Sequence, residues 1–223
     1  MMDFPTICVE DFYDNPDSIR QFALSQKYEK TDDGKWPGKR TAPLHEINPI
    51  LFDQFCNKLF SIFYDFDTCG KIQWIVRTSF QLIDPLVDDP NNIKNTGWIH
   101  LDGTSAVFAG VIYLTPNANL HSGTSVFRLK NKDTIDETDA KIKYYRDGID
   151  ENYDELLKKH NSSFEETITF NNVYNRLVAW EGNQWHGVNN FYSEEPRLTQ
   201  VFFVSRLEAD SSSPLKRFKA NYK

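Results

Sequence analysis

The chain has 223 residues, of which 39% are hydrophobic and 14% aromatic, which is enough for one domain with a large core. A formal net charge of −7 argues against nucleic acid as a partner, and the short basic run at 216–219 is typical of a solvated tail. No apolar stretch approaches membrane-spanning length, and the three scattered cysteines indicate neither a disulfide framework nor a zinc site. These features predict a cytoplasmic protein without a signal peptide or membrane span, and they leave the oligomeric state open.

The first 70 residues predict helices that support a β-sheet. A short strand at 6–9 precedes the sequence D-N-P-D at 14–17, which combines a capping side chain with a proline in the first helical turn. The polar stretch 26–41 is predicted to be a loop. The apolar residues between 49 and 63 recur at helical spacing, as they do in an amphipathic helix.

The sequence from 71 to 206 predicts a β-rich core. Turn residues separate strand-like segments at 72–83, 98–102, 106–114, 125–129, 167–170, 176–180, 187–189 and 198–205. A sandwich or barrel of short strands has this pattern. A charged, partly helical insertion at about 130–170 interrupts the strands, and it is either a lid over a site or a surface excursion.

Three side chains from two separated segments have the chemistry of a metal site. His100 and Asp102 are two residues apart on a predicted strand, so both point to the same side. His186 would add a second imidazole from a neighbouring strand. Two neutral imidazoles and one carboxylate on one face suit Fe(II) and leave its other coordination positions open. Because a His-x-Asp pair alone is common by chance, the prediction depends on the downstream residues.

Arg197 begins an apolar predicted strand and shares one face of it with Thr199. A guanidinium on an interior face is costly unless an anion meets it. The partner is either Glu194, Glu195 or another acid in a salt bridge, or a substrate carboxylate held in two parallel hydrogen bonds.

Further motifs follow in a fixed order: V-I-Y-L-T at 111–115, S-G-T-S-V-F at 122–127, N-R-L-V-A-W at 175–180, His186-x-Val188 and Arg197-x-Thr199. Together with His100-x-Asp102, which precedes them, these motifs make the chain resemble the iron(II)/2-oxoglutarate-dependent oxygenases, especially the prolyl-hydroxylase-like branch. The resemblance covers about 71–206. It implies a mainly β (α+β) fold with a double-stranded β-helix (jelly-roll, cupin-like) core, and it makes 1–70 a helical support within a single domain.

The resemblance also implies a role for each candidate residue. His100, Asp102 and His186 would hold the catalytic Fe(II). Arg197, Thr199 and Tyr113 would bind the far carboxylate of the cosubstrate 2-oxoglutarate, although Tyr113 could equally be an ordinary core aromatic. Gln81 would contact the cosubstrate from the strand before the metal pair. The turn at 122–125 departs from the Gly-Gly usual in the family, so its geometry is expected to differ.

The activity that the resemblance implies is that of a dioxygenase, which uses dioxygen and decarboxylates 2-oxoglutarate to succinate while it oxidises a second substrate. Hydroxylation of a protein side chain (prolyl-type) or of a small molecule is expected, and the primary substrate is not predicted. Two alternatives stay open, a non-catalytic metal-binding jelly-roll module and a cupin-like metal enzyme that does not use 2-oxoglutarate. The remaining histidines are predicted not to be ligands, and His160 is predicted to be solvated.

Overall fold

We describe the protein from a computed structural model, which covers residues 4–30, 36–103, 106–131, 138–147 and 153–211. The basic run at 216–219 lies outside the described residues. Within them, no helix combines the length and the apolar character needed to cross a membrane.

The described part of the first 70 residues contains the predicted strand β1 (Ile7–Val9) and the two predicted helices, α1 (Pro16–Leu24) and α3 (Pro49–Ser61). It also contains β2 (Lys39–Arg40) and the short helix α2 (Leu44–Ile47), which were not predicted. The side chain of Asn15 caps α1 by accepting from the backbone N–H of Ser18, and Asn48 caps α3 in the same way. The segment predicted as a loop at 26–41 contains the strand β2 in its described residues, 26–30 and 36–41, and β2 is too short to give an alternating pattern.

The remaining elements form two antiparallel sheets and a helical insertion: β3 (Ile72–Ile83), β4 (Phe108–Tyr113), β5 (Thr124–Leu129), α4 (Thr138–Asp147), α5 (Asp154–Ser162), β6 (Phe164–Phe170), β7 (Leu177–Glu181), β8 (His186–Val188) and β9 (Arg197–Ala209). The major sheet has the order β1-β7-β4-β9-β3-β2, and the minor sheet has the order β6-β5-β8. β6 belongs to the minor sheet, so the insertion proper ends before Phe164.

Alternation along β9 separates the hydrophobic core from the site. Leu198, Phe202 and Val204 belong to the main apolar core, where Phe55 of α3 packs 5.5 Å from Phe202 between ring centroids. The intervening side chains point to the opposite face, towards the minor sheet, and Arg197 is among them. The N-terminal helices thus cover one face of the major sheet and leave the other face for the site.

The prediction of a regular strand at 98–102 is wrong. Its only ladder contact is a bridge from His100 to His186. The side chain of Asn161 on α5 instead accepts from Ile99 N at 3.2 Å and donates to Gly97 O at 3.0 Å. A strand neighbour cannot also occupy these backbone groups, so the helix takes the place of a longer β-ladder.

The helical insertion is anchored on the segment that carries His100. Tyr144, Tyr145 and Leu157 form an apolar cluster with Trp98, two residues before His100. His160 was predicted to be solvated, and this prediction is wrong: it is 4% exposed, and its Nε2 lies 2.6 Å from Ile99 O. The charged residues around His160 in the sequence suggested a solvated side chain, whereas His160 lies on the buried face of α5.

Candidate metal and cosubstrate site

The structure brings the three predicted metal ligands together. One ligand atom from each of His100, Asp102 and His186 lies within 4.8 Å of the others, and among the described residues no other such group of three or more is found. His186 Nε2 is 3.5 Å from Asp102 Oδ2. Metal–ligand distances near 2.1 Å would need only small side-chain rotations from this arrangement.

Hydrogen bonds fix the orientation of both imidazoles. His100 Nδ1 lies 2.8 Å from the carbonyl of Trp98, and His186 Nδ1 lies 2.9 Å from the carbonyl of Gln184. A carbonyl only accepts, so each Nδ1 carries the proton and each Nε2 keeps its lone pair. Metal-binding histidines are commonly oriented by such a bond from the second ring nitrogen. Both rings are therefore set to bind a metal through Nε2.

Trp180 holds the carboxylate and one imidazole in place. Its indole N–H donates to Asp102 Oδ2 at 3.4 Å, and its ring lies 4.5 Å from the His186 ring between centroids. Trp180 comes from β7 of the major sheet, so it links that sheet to the ligands on the facing side. Trp180 lines the cavity and also belongs to a buried apolar cluster with Tyr113 and Val178.

Burial controls the charge of the site. It lowers the pKa of His100, where nearby Lys141 adds to the effect, and it lowers the pKa of His186 against the opposing influence of Asp102. Both imidazoles are therefore neutral near pH 7, as metal binding requires. Burial also lowers the pKa of Lys141 to about 8, with Asp102 opposing it and Arg40 adding to it.

A second cluster lies around Arg197, which is 2% exposed. Its Nε donates to Ser122 O at 2.9 Å, whereas its Nη2 is buried without a hydrogen-bond partner. Glu195 pairs with Arg20 instead, and among the described residues Arg197 forms no ion pair. The salt-bridge alternative is thus not what the structure shows.

Among the described residues, three hydroxyl groups near this guanidinium are also buried without a hydrogen bond of good geometry, those of Tyr113, Thr199 and Thr124. Tyr113 and Thr199 are cross-strand neighbours on β4 and β9, and the Arg197 guanidinium carbon lies 5.5 Å from the Tyr113 ring centroid. Burial raises the pKa of Tyr113, although Arg197 opposes this, so the phenol remains a hydrogen-bond donor. Tyr113 also interacts with Thr124 and Arg197, but none of these buried donors has a well-formed acceptor among the described residues, which fits an oxyanion that accepts from them.

Gln81 lines the same cavity, but both ends of its amide are engaged. Its Oε1 accepts from Arg40 Nε at 3.2 Å and Nη2 at 3.0 Å, and its Nε2 donates to Pro37 O at 2.7 Å. Cosubstrate binding by Gln81 remains a prediction, because the structure gives the amide a role in holding Arg40.

One cavity of about 660 Å³, in part open to solvent, joins the two clusters. It reaches from His100, Asp102 and His186 to Thr124 and Arg197, whereas Tyr113 and Thr199 are not among its lining residues. Sequence reasoning missed Thr124 as a separate donor, although it lies in the S-G-T-S-V-F motif. It also missed Lys141, since no motif surrounds that residue.

The sequence from 3 to 191 matches the sequence model of a family described as a family of unknown function, DUF6445. The chain belongs to the DUF6445 family. No curated protein matches its sequence.

Solved structures resemble this DUF6445 protein in fold. A prolyl hydroxylase from Trichoplax adhaerens, in complex with a hypoxia inducible factor oxygen degradation domain peptide, gives a TM-score of 0.54 at 10% identity and covers 89% of this chain and 82% of its own. HygX from Streptomyces hygroscopicus, with nickel and 2-oxoglutarate bound, gives 0.54 at 10% identity, with 91% and 83% covered. The epimerase SnoN, in complex with Fe3+, alpha ketoglutarate and nogalamycin RO, gives 0.55 at 11% identity, with 96% and 83% covered. These likenesses confirm the predicted double-stranded β-helix fold.

Proposed function

We propose that this DUF6445 protein is an Fe(II)- and 2-oxoglutarate-dependent dioxygenase that hydroxylates a protein side chain or a small molecule. The observation that carries the proposal is the pairing of two clusters in one cavity. One is a His-Asp-His set in which both Nε2 atoms keep their lone pairs, and the other is a buried guanidinium without an ion pair among the described residues, with hydroxyl donors nearby. A metal and a dicarboxylate would each satisfy one of them.

The metal cluster suits Fe(II) in its donor set and its charge. His100, Asp102 and His186 supply two neutral nitrogens and one carboxylate oxygen, the facial set typical of non-haem iron oxygenases. When bound, the iron supplies the dioxygen chemistry, coupled to decarboxylation of 2-oxoglutarate to succinate. The protein contributes the orientation of the rings through Trp98 O and Gln184 O, and the enclosing aromatic wall that includes Trp180.

The second cluster suits the far carboxylate of 2-oxoglutarate. Arg197 offers Nη2 as a charged donor, and the hydroxyl groups of Tyr113, Thr199 and Thr124 supply neutral donors. Charge-assisted hydrogen bonds of this kind are the strong ones, and they hold the ligand in one orientation. In HygX and SnoN, whose folds are similar, 2-oxoglutarate or alpha ketoglutarate is bound. Use of 2-oxoglutarate is favoured over a cupin-like metal enzyme without it because Arg197 has no counter-ion among the described residues.

The proposal is tested by calorimetric titration of 2-oxoglutarate into the Mn(II)-loaded protein without oxygen. We expect one site, with Arg197→Gln weakening its affinity by about 10- to 100-fold, since a hydrogen bond to a charged group contributes about 1.5–3 kcal/mol. The exposed Arg128, which pairs with Glu165, provides the control variant Arg128→Gln, whose affinity should match the wild type. Equal 2-oxoglutarate affinity in Arg197→Gln and the wild type would contradict the proposed cosubstrate site.

Coupled assays then separate the enzyme from a non-catalytic module. The wild type should form succinate in the presence of Fe(II), 2-oxoglutarate and dioxygen, and His100→Ala and Asp102→Ala should abolish it. Binding of both metal and 2-oxoglutarate without succinate formation, across peptide and small-molecule substrate panels, would favour the non-catalytic module.

A further inference from the structure

We propose that the primary substrate carries an oxyanion group, a carboxylate or a phosphate, that binds Lys141 and Arg77 in the groove outside the metal ligands. The inference rests on the proposed function, since it names the class of substrate that this site accepts. It is drawn from the positions and charges of the residues that line the groove.

A large open groove begins where the enclosed cavity ends. Trp36, Lys141 and Phe203 line both the cavity and the groove, as do His100 and Asp102. Two of the three metal ligands, His100 and Asp102, therefore lie at the junction of the two spaces, and His186 lines the cavity. A substrate that enters through the groove reaches the metal, while the cavity behind the metal leads to Arg197.

Arg197 and Arg77 are far apart along the major sheet. Ile83 pairs with Arg197 at the inner end of the β3–β9 ladder, and Arg77 pairs with Phe203. The six residue steps from Arg197 to Phe203 span about 20 Å of strand. A five-carbon diacid held by Arg197 is too short to reach Arg77. Arg77 is thus placed to bind the primary substrate and not the cosubstrate.

The charge of the groove is positive although the whole chain is acidic. Among its described lining residues, Lys27 is neutralised by Glu29 at 2.6 Å, and Asp102 is assigned to the metal. Arg40 also lines the groove, where it donates to Gln81 and lies over the Trp36 ring. Lys141 and Arg77 are the other cations, and neither has an ion-pair partner in the part of the chain that the structure describes. A largely enclosed ammonium group without a counter-ion is costly, and an oxyanion on the substrate would offset that cost.

Neighbouring side chains indicate an apolar or planar group next to the oxyanion. Trp36 and Phe203 form part of the wall, and Arg40 lies 4.0 Å above the Trp36 ring. The indole N–H of Trp36 is buried without a hydrogen-bond partner. It adds a neutral donor to the two cations, and the rings provide a surface for stacking.

The test uses the protein loaded with Zn(II) and N-oxalylglycine, which fill the metal and cosubstrate positions. Phenyl phosphate, phenylacetate and the neutral phenylacetamide are titrated and followed by protein NMR. We expect one of the two anions to bind at a single saturable site, with phenylacetamide at least about tenfold weaker. The anion that binds more tightly identifies phosphate or carboxylate as the recognised group.

Variants assign the binding to the named side chains. Lys141→Gln should weaken the anion by about tenfold and Arg77→Gln by several-fold, whereas Lys141→Arg should restore most of the affinity. Lys159→Gln, an exposed lysine on α5, is the matched control and should behave as the wild type. N-oxalylglycine affinity should be the same in all of them.

Three results would overturn the inference: equal binding of phenylacetamide, unchanged anion affinity in Lys141→Gln, or loss of N-oxalylglycine affinity in place of probe affinity in that variant. The last of these results would mean that Lys141 binds the cosubstrate. If neither Zn(II) nor N-oxalylglycine binds, the proposed function fails. The same probe titrations on the metal-free protein then decide the oxyanion site by the same criteria.

Discussion

At the scale of single residues, the site depends on protonation states that the fold imposes. His100 and His186 are each held by a backbone carbonyl at Nδ1, and burial keeps both rings neutral. The same burial leaves Arg197 charged but incompletely paired, so the folded protein carries an unsatisfied cation that a dicarboxylate would satisfy. The metal cluster and the anion cluster are thus both prepared before any ligand arrives.

The lowered histidine pKa values predict a pH dependence of stability in the metal-free protein. Folded His100 and His186 stay neutral, whereas the unfolded imidazoles take up protons below about pH 6.5. The unfolded state then binds more protons, so the free energy of unfolding falls as pH drops from 7 to 5.5, by up to about 1 kcal/mol per pH unit for each ring. Urea unfolding at a series of pH values, with chelator present, measures this slope.

Replacement of one buried imidazole should reduce the pH dependence of the free energy of unfolding. His100→Gln is expected to give a shallower dependence than the wild type, and His45→Gln, at an exposed histidine, is expected to leave it unchanged. Identical slopes in all three proteins would contradict the assignment of neutral buried rings.

At the scale of elements, the irregular segment before His100 explains how far the sequence could predict the site. His100, Asp102, His186 and the Arg197 strand could be predicted because their chemistry is concentrated in short motifs. The support for His100 could not, since it comes from α5 through Asn161, which is 61 residues away in the sequence and has no motif of its own. Local pattern predicts which residues carry chemistry, and the tertiary contacts decide what holds them.

Asn161→Ala tests that support. The change removes two hydrogen bonds to the backbone of the segment 97–99, and we expect a loss of about 1–3 kcal/mol in the free energy of unfolding. Metal affinity should fall by about tenfold or more, because second-layer partners of ligands commonly have effects of that size. Ser162→Ala on the same helix, which loses only a local bond to Lys159 O, serves as the control for both measurements. An Asn161→Ala protein that is destabilised yet binds metal as the wild type does would limit Asn161 to a purely structural role.

At the scale of the whole molecule, the two faces of the major sheet divide stability from chemistry. The helix-covered face buries an aromatic core that includes Phe55 and Phe202, and the opposite face presents Arg197, Val201 and Phe203 to the cavity. The alternation of side chains along β9 made this division predictable. No periodic pattern in the sequence predicted α4 or the position of Lys141.

Phe55→Ala should therefore lower stability without altering the site. Phe55 is fully buried, and its truncation is expected to cost about 3–5 kcal/mol. Chemical unfolding measures this loss, while calorimetry under conditions where the variant is still folded should give an unchanged metal dissociation constant. A marked loss of metal affinity in the folded variant would show that the two faces are coupled.

The most direct test of the central claim is an anaerobic titration of Fe(II) and then 2-oxoglutarate, followed in the visible spectrum. A facial His-Asp-His site that accepts the cosubstrate predicts one iron per chain and a weak charge-transfer band that appears only when 2-oxoglutarate is added. The band should be lost in His186→Ala, and in Arg197→Gln it should require more 2-oxoglutarate. Stoichiometric iron binding with no band at saturating 2-oxoglutarate, or a band that survives the loss of His186, would contradict the account.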